Sequence, residues 1–75
     1  MEQKEWDDLS ERVAREMYCI DMADGMIPHE EAIRRWEAMP TRGSSARVTL
    51  THHAGHALIA LEKFGLSIVD TGKHV

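Results

Sequence analysis

The sequence has little of several residue types that small proteins use to build a core or a reactive site. It contains one cysteine, Cys19, so a disulfide within the chain is excluded. Aromatic residues make up 5% of the sequence, so aliphatic and methionine side chains must fill most of the interior. No apolar run approaches the roughly 20 residues of a membrane helix, and no segment joins a basic start to an apolar stretch. We therefore expect a cytoplasmic protein without a membrane role.

Patterns of enzyme chemistry are also missing from the sequence. We find no glycine-rich phosphate loop, dinucleotide fingerprint or pair of carboxylates at catalytic spacing. Ser44 and Ser45 are explained as helix caps, and Cys19 has no histidine in sequence reach that would activate it. The sequence thus predicts no catalytic residues and no cofactor.

The composition is that of one small folded domain. Hydrophobic residues make up 43% and charged residues 29% of the 75 residues, which argues against disorder over most of the length. We expect a single domain over residues 1–75, with frayed residues at 71–75. A core of this size contributes only about 3–5 kcal/mol unless a partner, a second copy or a metal adds to it.

Apolar spacings of three and four predict two helices in the first half of the chain. The first helix covers residues 3–24 and ends at Gly25, with its core side formed by Trp6, Leu9, Val13, Met17 and Ile20. The second begins near Pro28 and ends before Pro40, with Ile33, Trp36 and Met39 on one face.

A third helix is predicted from a cap at Ser44 or Ser45 to Phe64, followed by Gly65. Its core side is predicted to consist of Leu50, Ala54, Ala57, Leu61 and Phe64. Residues 66–70 form a short extended segment that packs on the helices or pairs with another chain. The predicted fold is therefore mainly all-α, a compact three-helix unit with a short extended C-terminal segment.

Three of the five histidines lie in the third helix, at His52, His53 and His56. The segment His-His-Ala-Gly-His-Ala resembles the zinc motif His-Glu-Ala-Gly-His-Ala of FtsH-like metallopeptidases. The resemblance implies zinc ligands at His52 and His56, but His53 stands where the family has its catalytic glutamate. His29 or Cys19 remain open as a third ligand. A non-catalytic metal-binding module at His52 and His56 is therefore an alternative, and our prediction is that no metal is bound.

The helical projection places Val48, His52, His56 and Ile59 in one row that faces away from the core. His53 lies at the boundary and is expected to be the more buried imidazole of the three. A mixed row of imidazole and aliphatic side chains suits a protein-protein contact, and Gly55 would permit a close helix crossing in a homodimer. The alternative is that this row packs against the C-terminal segment of the same chain.

Charge is unevenly distributed, although the formal net charge is only −4. A predicted partner-binding acidic row lies near the start of the first helix and comprises Glu2, Glu5, Asp7, Asp8 and Glu11. These acids also suit a helix N-terminus on electrostatic grounds alone. Residues 34–47 carry four arginines around the turn between the second and third helices, at Arg34, Arg35, Arg42 and Arg47. They support the alternative of a small DNA-binding transcriptional regulator, or simply form salt bridges.

Residues 9–69 resemble short accessory proteins of bacteriophages and prophages, through a helix of the type Glu-Arg-Val-Ala-Arg-Glu-Met and a later Ala-Leu-Ile-Ala-Leu-Glu-Lys-Phe-Gly segment. Anti-CRISPR proteins are the best-defined class of such proteins. That resemblance implies a non-enzymatic inhibitor in the host bacterial cytoplasm that binds a host defence complex, a type I surveillance complex being the expected target. The acidic row would compete there with DNA phosphates for basic side chains.

Overall fold

A computed structural model describes residues 2–68, and these residues form three α-helices without a β-strand. They are α1 (Gln3–Asp24), α2 (His29–Ala38) and α3 (Ala46–Lys63). The predicted all-α class and three-helix unit are confirmed. Residues 66–68 have no regular secondary structure, and the remaining part of the predicted extended segment and the tail at 71–75 lie outside the described residues. No helix within residues 2–68 is long and apolar enough to cross a membrane.

The helix ends follow from capping residues. Ser45 caps α3, since its side chain accepts a hydrogen bond from the backbone N–H of Val48 (3.3 Å). Pro28 immediately precedes α2, and Pro40 follows soon after its end. These bounds agree with the predicted ones to within one or two residues.

Gly25 ends α1 as expected, but the left-handed residue of the turn is its neighbour Met26. Gly25 has a φ of −89°, whereas the left-handed conformation falls on Met26, with a φ of +65°. The N–H of Ile27 donates to the carbonyl of Met22, and that of Met26 to the carbonyl of Ala23. This is the Schellman pattern, in which glycine is the residue usually found at the left-handed position. The glycine of this sequence therefore lies one residue before the left-handed position.

A small core lies between the three helices. Ala14 of α1, Trp36 of α2 and Ala54 of α3 are its buried members, and Trp36 is the one large side chain of residues 2–68 that is almost completely buried. The ring of Tyr18 packs on that of Trp36 with centroids 5.6 Å apart. Because two of the three central residues are alanine, the helices approach one another closely around one indole.

The predicted core side of α1 is partly wrong. Trp6, Leu9, Val13 and Met17 are half-buried as expected, but Ile20 is 64% exposed. The buried residues of α1 are Ser10, Ala14 and Cys19. Because α1 packs against both α2 and α3, its burial is not confined to one stripe. Cys19, which does not belong to the predicted core side of α1, is buried.

The predicted core side of α3 is wrong in its C-terminal half. Ala54 and Leu58 are buried and Leu50 is half-buried, whereas Ala57, Leu61 and Phe64 are exposed. The core-facing side is thus rotated towards Leu58. The physical reason is the close approach of α3 to α1 at Gly55, described next, which a single-helix projection does not contain.

Candidate functional site

A groove of about 400 Å³ lies between the first half of α1 and α3. Its α1 wall consists of Gln3, Trp6, Asp7, Ser10 and Glu11. Its α3 wall consists of Arg47, Val48, Thr51, His52, Gly55, His56 and Ile59, and Thr41 of the preceding loop completes it. We call this feature the α1–α3 groove.

The α1–α3 groove unites two sets of residues that the sequence analysis predicted separately. The entire outward row of α3, formed by Val48, His52, His56 and Ile59, lines it. Asp7 and Glu11 of the acidic row line the opposite wall. The other three acids are exposed and do not line the groove: Glu2, which immediately precedes α1, and Glu5 and Asp8 in α1.

The floor of the groove is a close helix crossing. A Cβ atom built on Gly55 would lie 3.3 Å from the hydroxyl oxygen of Ser10, which is closer than ordinary van der Waals contact. Gly55 therefore serves a crossing of α3 with α1 in the same chain, and not the intermolecular crossing that we expected from it. Ser10 is 4% exposed, and its hydroxyl has no hydrogen-bond partner among the described residues.

The two carboxylates of the groove have different surroundings. Glu11 forms an ion pair with Arg47, which also donates to the backbone carbonyl of Trp36 (3.3 Å) and stacks over its ring, 5.5 Å from the centroid. Asp7 accepts a hydrogen bond from the side-chain amide of Gln3 at 2.8 Å. Because an amide carries no charge, this contact leaves the negative charge of Asp7 uncompensated, while Arg47 compensates that of Glu11.

The histidines form an exposed pair at the rim. The rings of His52 and His56 meet edge to face with centroids 4.3 Å apart. His53 is also exposed, so the expectation that it is the more buried of the three is wrong.

The metal-ligand candidates from the sequence are His52 and His56, with His29 or Cys19 as a third ligand. Within residues 2–68 no group of three or more histidine, cysteine or acidic side chains is arranged to hold a metal ion. Of the third-ligand candidates, His29 lies 3.8 Å from Glu16, and Cys19 is buried. Burial, and next the neighbouring charge of Glu16, raise the pKa of the Cys19 thiol, which favours its protonated, weakly nucleophilic form.

The four arginines considered for nucleic-acid binding have different surroundings. Arg34 and Arg35 both lie within 3.9 Å of Glu31 on their own helix. Arg47 is directed towards Glu11 and Trp36, and Arg42 lies in the exposed loop before α3. A second cleft, of about 360 Å³, is lined by Arg12, Arg15 and Arg47 together with Asp8, Glu11 and Glu37, so its formal charges balance.

Sequence reasoning missed Trp6 and Ser10 as groove residues. Trp6 was assigned to the core because it begins an apolar stripe, yet it is half-buried and lines the groove. Ser10 carries no apolar signal, and a small residue on each of two helices becomes meaningful only when the helices are known to cross.

Comparison of the chain with protein-family models, curated proteins and solved structures gave no match. The arguments for function therefore come from the chemistry of the groove and of the acidic row.

Proposed function

We propose that the protein is a non-enzymatic inhibitor that binds another protein through the α1–α3 groove and the acidic row beside it. The observation that carries the proposal is that the acidic wall of α1 and the histidine and aliphatic row of α3 line one groove. Grooves with apolar walls and a few polar groups are typical of binding sites.

The acidic row supplies the means of inhibition. Glu2, which immediately precedes α1, and Glu5 and Asp8 in its first half are exposed, and Asp7 of the same half lines the groove. Carboxylates presented in a row compete with phosphates for lysine and arginine side chains, so the protein would occupy a surface that otherwise receives DNA. The resemblance to anti-CRISPR proteins makes a type I surveillance complex of a host bacterium the first target to test.

The test is a DNA-binding assay of a purified surveillance complex with and without the protein. We expect wild-type protein to reduce target DNA binding, and the triple variant Glu2→Lys, Glu5→Lys, Asp8→Lys to lose this effect. A matched control reverses two exposed acids at the other end of α1, Asp21→Lys and Asp24→Lys, and should still inhibit. Because the contact is ionic, inhibition should weaken as salt rises. Unchanged DNA binding by complexes from matching hosts would contradict the proposal.

The purified protein also allows the two alternative functions, DNA-binding regulator and metal-binding module, to be tested. A DNA-binding regulator that uses the arginines would retard free DNA in a gel at low salt, whereas an acidic inhibitor would not. A metal-binding module would carry stoichiometric zinc after purification without a histidine tag, and the variant His52→Ala, His56→Ala would lose it.

A further inference from the structure

We propose that the α1–α3 groove is a receptor for one arginine side chain presented by the partner protein. The inference rests on the proposed function, because it names the chemical group that the groove would accept from that partner. It concerns the groove itself and does not depend on which complex the partner belongs to.

The negative charge of Asp7 favours a cationic ligand in the groove. Asp7 lines it and is hydrogen-bonded to the neutral amide of Gln3, whereas the charge of Glu11 is already met by Arg47. A cationic group entering the groove would thus find one carboxylate that is held in position and not neutralised. Carboxylates in this state form the stronger, charge-assisted class of hydrogen bond.

The apolar side chains of the groove favour a long cationic side chain whose methylene groups can contact them. Trp6 contributes from α1, and Val48 and Ile59 contribute from α3. Ile59 is 43% exposed, so this apolar surface is open to a ligand. Arginine and lysine cover such surface with their methylene groups while the charged end stays with polar partners.

An unsatisfied acceptor in the floor adds a second, independent indication. The Ser10 hydroxyl is buried, has no hydrogen-bond partner among the described residues, and lies where α1 and α3 cross. A buried hydroxyl without a hydrogen-bond partner is energetically unfavourable. Ser10 is also one of the residues that line the groove, so its oxygen is a candidate acceptor for a donor bound there.

The protein already contains the arrangement that we infer for the ligand. Arg47 pairs with the carboxylate of Glu11 and stacks over the indole of Trp36. The groove offers a second indole and a second carboxylate, those of Trp6 and Asp7. A guanidinium, with five N–H donors in a planar fork, can serve a carboxylate, a hydroxyl and an aromatic face together, which an ammonium does less well.

The experiment is an NMR titration of the full chain with N-acetyl-L-arginine N-methylamide, observed at the two indole N–H signals. Trp6 lines the groove and Trp36 is 1% exposed, so the second signal is an internal control. We expect a saturable shift of the Trp6 signal, with half-saturation on the order of a millimolar for so small a ligand, and little change at Trp36. The lysine analogue should bind more weakly, and the norleucine analogue, which has no charge, weaker still.

Two variants decide whether Asp7 is responsible. Asp7→Asn should weaken the arginine analogue at least several-fold, whereas Asp21→Asn, an equally exposed acid elsewhere on α1, should not. Equal binding of the norleucine analogue, a larger shift at Trp36 than at Trp6, or no saturable shift would each overturn the inference. This inference and the proposed function can fail independently. If the protein binds the arginine analogue but inhibits no surveillance complex, the inference stands and the proposed function is wrong.

Discussion

Arg47, in the first turn of α3, contacts both of the other helices. Its guanidinium pairs with Glu11 of α1 and donates to the carbonyl of Trp36 of α2, over whose ring it also stacks. The Arg47 side chain is 17% exposed, so these contacts are less weakened by water than those of a surface pair. One side chain therefore connects the three helices at the edge of the core.

We predict that Arg47→Ala lowers the free energy of unfolding by about 2 kcal/mol, because hydrogen bonds to a charged group and packing on Trp36 are lost together. Urea denaturation measures this. Arg35→Ala is the matched control, since Arg35 is half-exposed and lies 3.9 Å from Glu31. It should cost no more than about 0.5 kcal/mol. If both variants lost the same free energy of unfolding, the connecting role of Arg47 would be contradicted.

At the residue scale, the sequence predicted side chains on one helix better than contacts between helices. Val48, His52, His56 and Ile59 were correctly placed on one row because helical geometry fixes their relation. Arg47 was considered for DNA binding or for salt bridges, but its partner was not predicted. Nothing local to residue 47 indicates that Glu11, 36 residues earlier, will lie beside it. Ion pairs of this kind follow from the tertiary arrangement.

At the scale of the helix, Met26 occupies a position that favours glycine. Met26 has a φ of +65° in the turn that follows α1, and the residue is 89% exposed. We predict that Met26→Gly raises the free energy of unfolding by about 1 kcal/mol, because glycine adopts this conformation without steric cost and little packing is lost. Thermal or urea unfolding checks it.

The neighbouring glycine is the control for this prediction. Gly25 has a negative φ, and a Cβ there would meet only ordinary contact with the carbonyl of Met22 at 3.5 Å. Gly25→Ala should therefore be neutral or mildly stabilising. A loss of stability in Gly25→Ala together with no gain in Met26→Gly would contradict the assignment of the left-handed conformation to Met26.

The crossing of α1 and α3 yields a second prediction at this scale. Alanine at position 55 gains about 1 kcal/mol of helix propensity but places its Cβ 3.3 Å from the Ser10 hydroxyl oxygen. We predict that Gly55→Ala alone raises the free energy of unfolding little or not at all. In a Ser10→Ala background, the same substitution should raise it by most of the helix-propensity difference. Ser10→Ala alone should be neutral or stabilising, since it removes a buried hydroxyl without a partner.

A double-mutant cycle measures the coupling between Ser10 and Gly55. Additive effects would mean that the helices already leave room for a methyl group at position 55. The same crossing explains why helix ends were predictable and core faces were not. Caps such as Ser45 and Pro28 act locally, but the side of α3 that becomes buried depends on where it meets α1.

At the scale of the whole molecule, apolar surface remains exposed where α3 ends. Leu61 is 41%, Phe64 84% and Leu66 54% exposed. The N–H of Leu66 donates to the carbonyl of Leu61, and Gly65 has a φ of +86°, so the chain turns back over the helix end. Leu61 and Phe64, which were predicted to face the core, are thus exposed apolar surface at the end of α3.

We propose that this apolar end of α3, formed by Leu61, Phe64 and Leu66, contacts a second copy of the chain. Glu62 and Lys63, of opposite charge, lie beside Leu61 and Phe64 in sequence. A twofold contact can bring such a pair opposite its counterpart, so the surface can match itself in charge as well as in apolar character. The proposed self-association would lie at the end of α3, away from Gly55.

Sedimentation equilibrium tests the contact. We predict a concentration-dependent dimer of the 8.5 kDa chain that Phe64→Glu reduces to monomer, because the substitution would bury a carboxylate in an apolar contact. Ile20→Glu is the matched control, since Ile20 is 64% exposed on α1, and it should leave the dimer intact. The groove is formed within one chain, so we expect Phe64→Glu to retain the binding of the arginine analogue. A wild-type chain that stays monomeric at all concentrations would rule out the contact, and a dimer lost equally in both variants would place it elsewhere.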